Sequence, residues 1–552
     1  MQRIITKFLL FVFFSAPAIQ AQEMDLPESW FLNIQQRPET ISLSPIDMES
    51  IVEEDFQNDR DKSTPWRYGI LRDLNIDCQR NGSWTVFPDG SKMWQLIIHS
   101  PDALNLSFIF DNFFLPQGAK FIAFNESHTD VTNNYSSLQY PGENRLGTWF
   151  IDGDTVWLEY FQPAGVQGTP ILQLSGVIHG YRLGKLHAFL NAERGYNDSG
   201  DCHFDVDCEI GEDFDALKDE LKKAVALLNL GNGFLCSGVL VNNTKADKTP
   251  YLLTANHCLE ASDPKLWSMR FNWISPNPVC GVPEISANNT SNLTLSGATL
   301  KANNRKSDFA LVKLDHSIPD SWDVAFAGWN NTDEDPLFEV GIHHPMGDIM
   351  KVCRDNSGAE KIELDGKSIW LIGGGTQGRG NGWEIGTTEK GSSGSPLFNE
   401  KGQMIGQLYG GDSGCFGTQG NGNFDAYGRF AVSWNSGTDP ASRLKEWLDP
   451  INSGQSSMET LQNILNVPDH LTKEELSVYP NPASTTITVM NNQFPHLQYE
   501  FYTLLGQKMS SGKVSNTLNQ INVENLAAGL YILRLFDDSS QESVTKKILI
   551  SR

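Results

Sequence analysis

The alternation of apolar and polar positions divides the chain into blocks. From about Gly82 to Leu183, strand patterns follow one another: Met93–Ile98, Leu104–Phe110, Ala119–Phe124 and Thr155–Phe161. Turn clusters such as Pro88-Asp89-Gly90 and Asp152-Gly153-Asp154 separate them, and the block predicts a β-sandwich. Ahead of it, residues 22 to about 80 are polar and irregular, with isolated aromatics at Trp30 and Trp66. Asp213–Leu230 has the spacing of an amphipathic helix. A Gly-rich run of short strands follows, and Ala441–Leu448 reads as a closing helix. After a linker at 463–475, the segment 476–552 has strand patterns at Thr486–Val489, Leu526–Leu535 and Lys546–Ile550, which predict a small antiparallel β-sandwich.

The first residues read as export chemistry. Arg3 and Lys7 precede the apolar run Phe8–Phe14, and Ala16-Pro17-Ala18 or Ile19-Gln20-Ala21 ends in small residues, so 1–21 is expected to be a signal peptide. That run is too short to span a bilayer, and no later stretch is long and apolar enough. At 552 residues the chain has room for three or four domains. Its net charge of −25 argues against a nucleic-acid or anionic-membrane surface. Export makes the eight cysteines candidates for disulfides.

The candidate chemistry lies in the central block. Gly391-Ser392-Ser393-Gly394-Ser395-Pro396 places Ser393 inside a tight turn, where the N–H groups of Gly391 and Ser393 could face a developing oxyanion. Alone, this is equally a flexible Gly/Ser loop. Upstream, however, the buried-strand run Tyr251–Ala255 delivers His257, and Asp308 precedes the apolar strand Phe309–Leu314. The order His, Asp, Ser is that of two-barrel serine proteases. It assigns Ser393 as nucleophile, His257 as base and Asp308 as the group that orients the imidazole. Cys236, on an earlier strand, is the natural partner for Cys258 beside His257.

On these motifs the region from about Asn197 to Leu461 resembles the trypsin-like superfamily, and within it the bacterial lysyl endopeptidases of the Achromobacter protease type. Further similar stretches are Asp201–Cys208, Val241–Thr244, Ile342-His343-His344-Pro345, Thr388–Gly391, Gly406-Gln407-Leu408 and Tyr427-Gly428-Arg429. The resemblance implies a chymotrypsin-like double β-barrel and the disulfides Cys202–Cys415, Cys208–Cys280 and Cys236–Cys258. Cys78 and Cys353 are left over, either free or paired with each other. The position six residues before the nucleophile, where trypsin-like enzymes carry their specificity acid, is Thr387. The resemblance instead puts a cation-selecting carboxylate at Asp425, with Tyr409 and Gly410 also against the substrate. Two departures leave the choice between lysine and arginine open: Tyr409 stands where the family has a histidine, and Ile372 precedes Gly373 where it has a tryptophan. His343-His344 suggests no metal, because adjacent histidines point apart on a strand. The C-terminal segment, opening Val478-Tyr479-Pro480-Asn481-Pro482-Ala483, resembles the sorting domain of the type IX secretion system.

The expectation is therefore an all-β chain: signal peptide 1–21, propeptide with a β-sandwich-like region 22–194, trypsin-like serine peptidase domain 195–462, linker 463–475 and sorting domain 476–552. Arg194 is the favoured processing point and Lys185 a less convenient one. The expected function is a secreted or surface endopeptidase, monomeric and without cofactor, cutting protein or peptide substrates after basic residues. Its other expected partner is the type IX secretion machinery. The alternatives are an inactive, surface-exported binding protein on a protease fold, and a carbohydrate- or protein-binding role for the N-terminal sandwich.

Overall fold

The computed structural model describes residues 26–183, 199–462 and 476–550, apart from 33, 35, 138–139, 141–143, 261, 290–291, 480–482, 492–496, 504–507, 515–516, 528 and 538–542. The signal peptide, the linker, Arg194 and Lys185 lie outside the described residues. The chain divides into two compact units, Met1–Gln462 and Asn463–Arg552.

The strand-rich block after Gly82 forms two facing antiparallel sheets. One is built around Lys92–His99, Thr155–Gln162 and Lys120–Asn125, the other around Asn105–Phe114, Ile171–Gly180 and Gly69–Asp77. Alternate side chains meet between them in an aromatic core that includes Trp94, Phe108, Phe110, Phe113, Phe121 and Tyr160. The block 22–80, expected to be irregular, contains a helix at Met48–Asn58 and the strand Gly69–Asp77. Asp47 caps that helix by accepting from Glu49 N–H at 3.1 Å. Only Ile51 and Asp55 of this helix are buried, while Val52 and Phe56 stand exposed.

The central segment is two further antiparallel sheets. The first has the order Leu293–Ser296, Ser268–Phe271, Val225–Asn229, Phe234–Leu240, Tyr251–Ala255, Phe309–Leu314 and Ala298–Asn304. The second contains Glu339–His343, Pro396–Asn399, Met404–Gly411, Asp425–Arg429 and Lys367–Ile372 in neighbouring positions. One core, from Val225 and Phe309 to Val340 and Phe398, runs through both. The expected helix Asp213–Leu230 is shorter. It is α-helical at Asp215–Leu221 and a 3₁₀ turn at Lys222–Ala224, after which Val225–Asn229 is a strand. That run is buried on both faces and pairs on both edges, so its unbroken apolar character belongs to a central strand and not to a helix. Ala441–Leu448 is likewise a 3₁₀ turn at Pro440–Ser442 followed by a single helical turn, Lys445–Leu448.

The sandwich packs against the first of these sheets through Trp66, Tyr68, Trp149, Phe150, Leu235 and Leu266. Gly147 lies in this seam, where a Cβ would fall 1.9 Å from the Leu266 carbonyl oxygen. The second unit holds a three-stranded and a four-stranded sheet around Ile487, Val489, Phe501, Leu533 and Ile548. Among the described residues no helix is long and apolar enough to cross a membrane.

Three disulfides, Cys202–Cys415, Cys208–Cys280 and Cys236–Cys258, cross-link the central segment. Cys78 and Cys353 are free and buried in separate cores. Beside Cys202–Cys415, the Glu389 carboxylate accepts from Gly200 N–H at 2.9 Å and Cys415 N–H at 3.3 Å and meets His203 Nε2 at 3.0 Å. Burial opposes ionisation of Glu389, but the bond and charge of His203 and the two N–H groups outweigh it and hold the carboxyl at about 2, against an ordinary 4.5.

Two predictions follow from this packing. Gly147→Ala should cost about 1–3 kcal/mol by overpacking the seam, read as a lower melting temperature of the full chain. Because the folded Glu389 value is depressed, its contribution is complete above about pH 4.5 and fades as pH falls toward 2. Glu389→Gln should therefore flatten the stability curve between those pH values and lose about 1–3 kcal/mol at neutral pH, measured by denaturant unfolding across pH.

Candidate active site

The site forms where the two central sheets meet, and Ser237 clamps them together. Its N–H donates to the Ser393 carbonyl at 2.8 Å, its hydroxyl donates to the Gly391 carbonyl at 3.0 Å, and that hydroxyl oxygen accepts from His344 N–H at 3.0 Å. The Ser237 carbonyl accepts from Thr254 Oγ1 at 2.8 Å, which ties the serine loop to the strand that leads into His257. Gly394 sits in this junction at φ +82°, with a notional Cβ 2.1 Å from Thr254 Oγ1, so glycine is required by both conformation and space. Cys236–Cys258 staples the Ser237 strand, Phe234–Leu240, to the turn Asn256–Glu260 that carries His257; closing this 22-residue separation is worth about 3 kcal/mol.

His257 begins the short helix Asn256–Glu260 at the end of strand Tyr251–Ala255. Its Nδ1 lies 2.7 Å from Asp308 Oδ2, while Asp308 Oδ1 accepts from His257 N–H at 3.1 Å. Asp308 is 2% exposed and adopts the left-handed conformation, φ +53°, which is strained for a non-glycine residue. That kink turns both its carboxylate and its carbonyl toward the 256–257 turn, since Asn256 N–H donates to the Asp308 carbonyl at 2.8 Å. Gly391, at φ +89°, and Ser393 line the other wall. His343 and His344, both fully buried, are used structurally. His343 Nδ1 meets Ser392 Oγ at 2.8 Å and His344 Nδ1 meets the Asp348 carbonyl at 2.8 Å. Burial lowers the pKa of both rings, that of His344 to about 4, so both are neutral.

Asp425, with no exposed surface, forms the floor of a pocket beside Ser393. Its Oδ2 accepts from Trp383 Nε1 at 2.7 Å, Thr388 Oγ1 at 2.8 Å and Ser413 Oγ at 2.5 Å. Its Oδ1 faces the ammonium of Lys62, a residue of the N-terminal segment, at 2.7 Å. The same ammonium donates to Thr388 Oγ1 and O at 2.7 and 3.0 Å and to Ser413 Oγ and O at 2.8 and 2.9 Å. The Lys62 carbonyl oxygen then accepts from Ser393 Oγ at 3.3 Å, whereas His257 Nε2 is buried without a hydrogen-bond partner. The hydrogen bond to that carbonyl comes from the serine hydroxyl and not from the N–H of Gly391 or Ser393.

Of the remaining residues singled out by sequence, Gly410 lies against the Lys62 stretch and Tyr409 against His257. A Cβ on Gly410 would approach Ser63 N to 3.1 Å and the Lys62 carbonyl carbon to 3.2 Å, so the glycine makes room for the chain in the cleft. Tyr409 packs edge-on to the His257 ring at 6.2 Å. Three residues given no role from the sequence, Trp383, Thr388 and Ser413, donate to one oxygen of the Asp425 carboxylate. Thr388 lay within a recognised motif; Trp383 and Ser413 sit in glycine-rich loops without local pattern. Lys62 had no signal of its own.

Comparison with known proteins bears on both units. Residues 196–428 match the family model described as lysyl endopeptidase, C-terminal domain, and residues 477–551 that described as secretion system C-terminal sorting domain. A lysyl endopeptidase of Pseudomonas aeruginosa is 28% identical over 278 residues, which cover 48% of this chain and 56% of that protein. The chain thus spans little more than half of that relative's length. A solved structure of PorZ, a surface component of the type-IX secretion system of Porphyromonas gingivalis, aligns at 10% identity over 55% of this chain and 29% of that one. Its TM-score of 0.14 carries no argument. The central segment is thus similar to the lysyl endopeptidase domain, and the C-terminal unit matches a secretion-system sorting domain, which indicates export to the surface or the medium.

Proposed function

We propose that the protein is an exported serine endopeptidase that cleaves on the carboxyl side of lysine. Ser393 attacks the substrate carbonyl, and His257 takes the hydroxyl proton at Nε2 and returns it to the leaving amine. Asp308 holds the imidazole by its Nδ1–H and stabilises the imidazolium. The N–H groups of Gly391 and Ser393 receive the oxyanion, and water releases the acyl-enzyme. Residues 22–194 act as a propeptide, and the sorting domain engages the type IX secretion machinery.

The observation that carries this reading is Lys62, whose ammonium meets Asp425 while its carbonyl rests on Ser393 Oγ. Lysine is favoured over arginine by the form of the pocket. Oxygens of Asp425, Thr388 and Ser413 surround one nitrogen at 2.7 to 3.0 Å, which suits a compact ammonium. A guanidinium is longer and planar and would have to push these oxygens apart.

A panel of peptides carrying Lys, Arg, Glu or Leu before the scissile bond tests the assignment on the processed enzyme. Lys should exceed Arg in kcat/KM by about tenfold or more, and Glu or Leu by about 10³-fold. Asp425→Asn should lower kcat/KM for Lys peptides by about 10²–10⁴-fold, and Ser393→Ala should abolish turnover and labelling by diisopropyl fluorophosphate. Equal cleavage after Leu would remove Asp425 from its role; an unlabelled Ser393 would remove the peptidase reading itself.

A further inference from the structure

The stretch around Lys62 follows the cleft for ten residues. Upstream, the helix Met48–Asn58 ends at the cleft, where the Asn58 carbonyl accepts from Lys390 Nζ at 2.7 Å. Lys62 then fills the pocket. Downstream, Thr64 Oγ1 accepts from the same Lys390 ammonium at 2.8 Å. Trp66–Arg67 next adds an antiparallel edge strand to Phe234–Leu235. A chain that presents its side chain to the pocket and its carbonyl to the serine, and pairs as a strand on the far side, is bound as a substrate binds.

The segment is also braced against release. The Asp61 carboxylate accepts from Ser63 N–H at 2.9 Å and Ser63 Oγ at 2.6 Å, and Thr64 Oγ1 donates to the Asp61 carbonyl at 3.1 Å. These bonds close a tight turn over the Lys62–Ser63 peptide. Behind it, Asp55 binds Arg67 Nε at 2.7 Å, Tyr181 OH at 2.7 Å and the Arg182 guanidinium, while Asp59 binds Arg182 at 2.8 Å. Both Tyr181 and Arg182 follow the last sandwich strand, so the sandwich presents the turn ready-formed.

We propose that Asn58–Arg67 is a built-in, substrate-like inhibitor of this site and that Lys62–Ser63 is the bond it offers for slow cleavage. The proposal rests on the reading of the site as a lysine-directed serine peptidase. The reaction is the ordinary one. Ser393 Oγ bonds to the Lys62 carbonyl carbon, its proton passes through His257 Nε2 to the Ser63 nitrogen, and the Lys62–Ser63 bond breaks. Water then converts the Lys62 ester to a carboxylate and restores the serine. It is slow for two structural reasons. The Ser393 hydroxyl is spent on the Lys62 carbonyl, with His257 Nε2 left unbonded. The new Ser63 amine would stay beside the ester, held by Asp61 and by the Trp66–Arg67 pairing, so rejoining competes with hydrolysis.

The test uses the full chain with diisopropyl fluorophosphate as active-site probe. Lys62→Gln should label at Ser393 about 10²-fold faster than the unsubstituted chain, because the pocket loses its tethered occupant. In parallel, the unsubstituted chain on prolonged incubation should yield a fragment beginning at Ser63, which Ser393→Ala should not. Equal labelling rates in two chains of matching melting temperature would overturn the proposal while leaving the peptidase reading intact. Should Lys62→Gln fail to fold, the Ser63 fragment decides, and its absence overturns the proposal. Absence of labelling in every form, processed enzyme included, removes the peptidase reading and the proposal with it.

Discussion

A carboxylate with no exposed surface is the constraint on which the site depends. Removing the Asp425 charge from water costs several kcal/mol, and the neutral donors Trp383, Thr388 and Ser413 on one oxygen offset only part of it. The other oxygen faces the space in which a cation completes the balance. The loops from 383 to 388 and from 413 to 425 supply these donors. An apolar group in that space would leave the buried charge uncompensated.

The geometry opposite the pocket depends on a second constraint, the junction between two sheets of separate sequence origin. Ser237 spans it with both backbone and side chain, and Gly394 and Gly428 allow approach that no side chain would permit. A Cβ on Gly428 would lie 1.8 Å from the Ser307 carbonyl oxygen, next to the strained Asp308. Strain at Asp308 and crowding at the glycines persist because hydrogen bonds on every side over-determine them.

Much of this was legible in the sequence. His257, Asp308 and Ser393 each stand beside a short apolar strand or a glycine turn, so local pattern and chain order single them out; the structure bonds His257 to Asp308, and Ser393 Oγ to the Lys62 carbonyl. Four strands of the N-terminal sandwich were found within a few residues of their ends, because they alternate or run apolar between turn clusters, whereas Gly69–Asp77 and Ile171–Gly180 were not singled out. What escaped was non-local. Lys62 and Asp425 are 363 residues apart, and nothing near either residue announces the other. Val225–Asn229 was absorbed into a helix because a strand buried on both faces has no period to distinguish it. The helix Met48–Asn58 was overlooked because its few apolar residues, Met48, Ile51, Val52 and Phe56, are interleaved with four acidic ones.

Two of the three disulfides have a bearing that reaches past stability. Cys236–Cys258 joins the histidine turn to the strand that clamps the serine loop, and Cys202–Cys415 anchors the loop beside Ser413. In a reducing cytoplasm these bonds do not persist, so both walls of the cleft are fastened only after the chain has left it. The place where the protein is made is thereby chemically separated from the place where its cleft is complete.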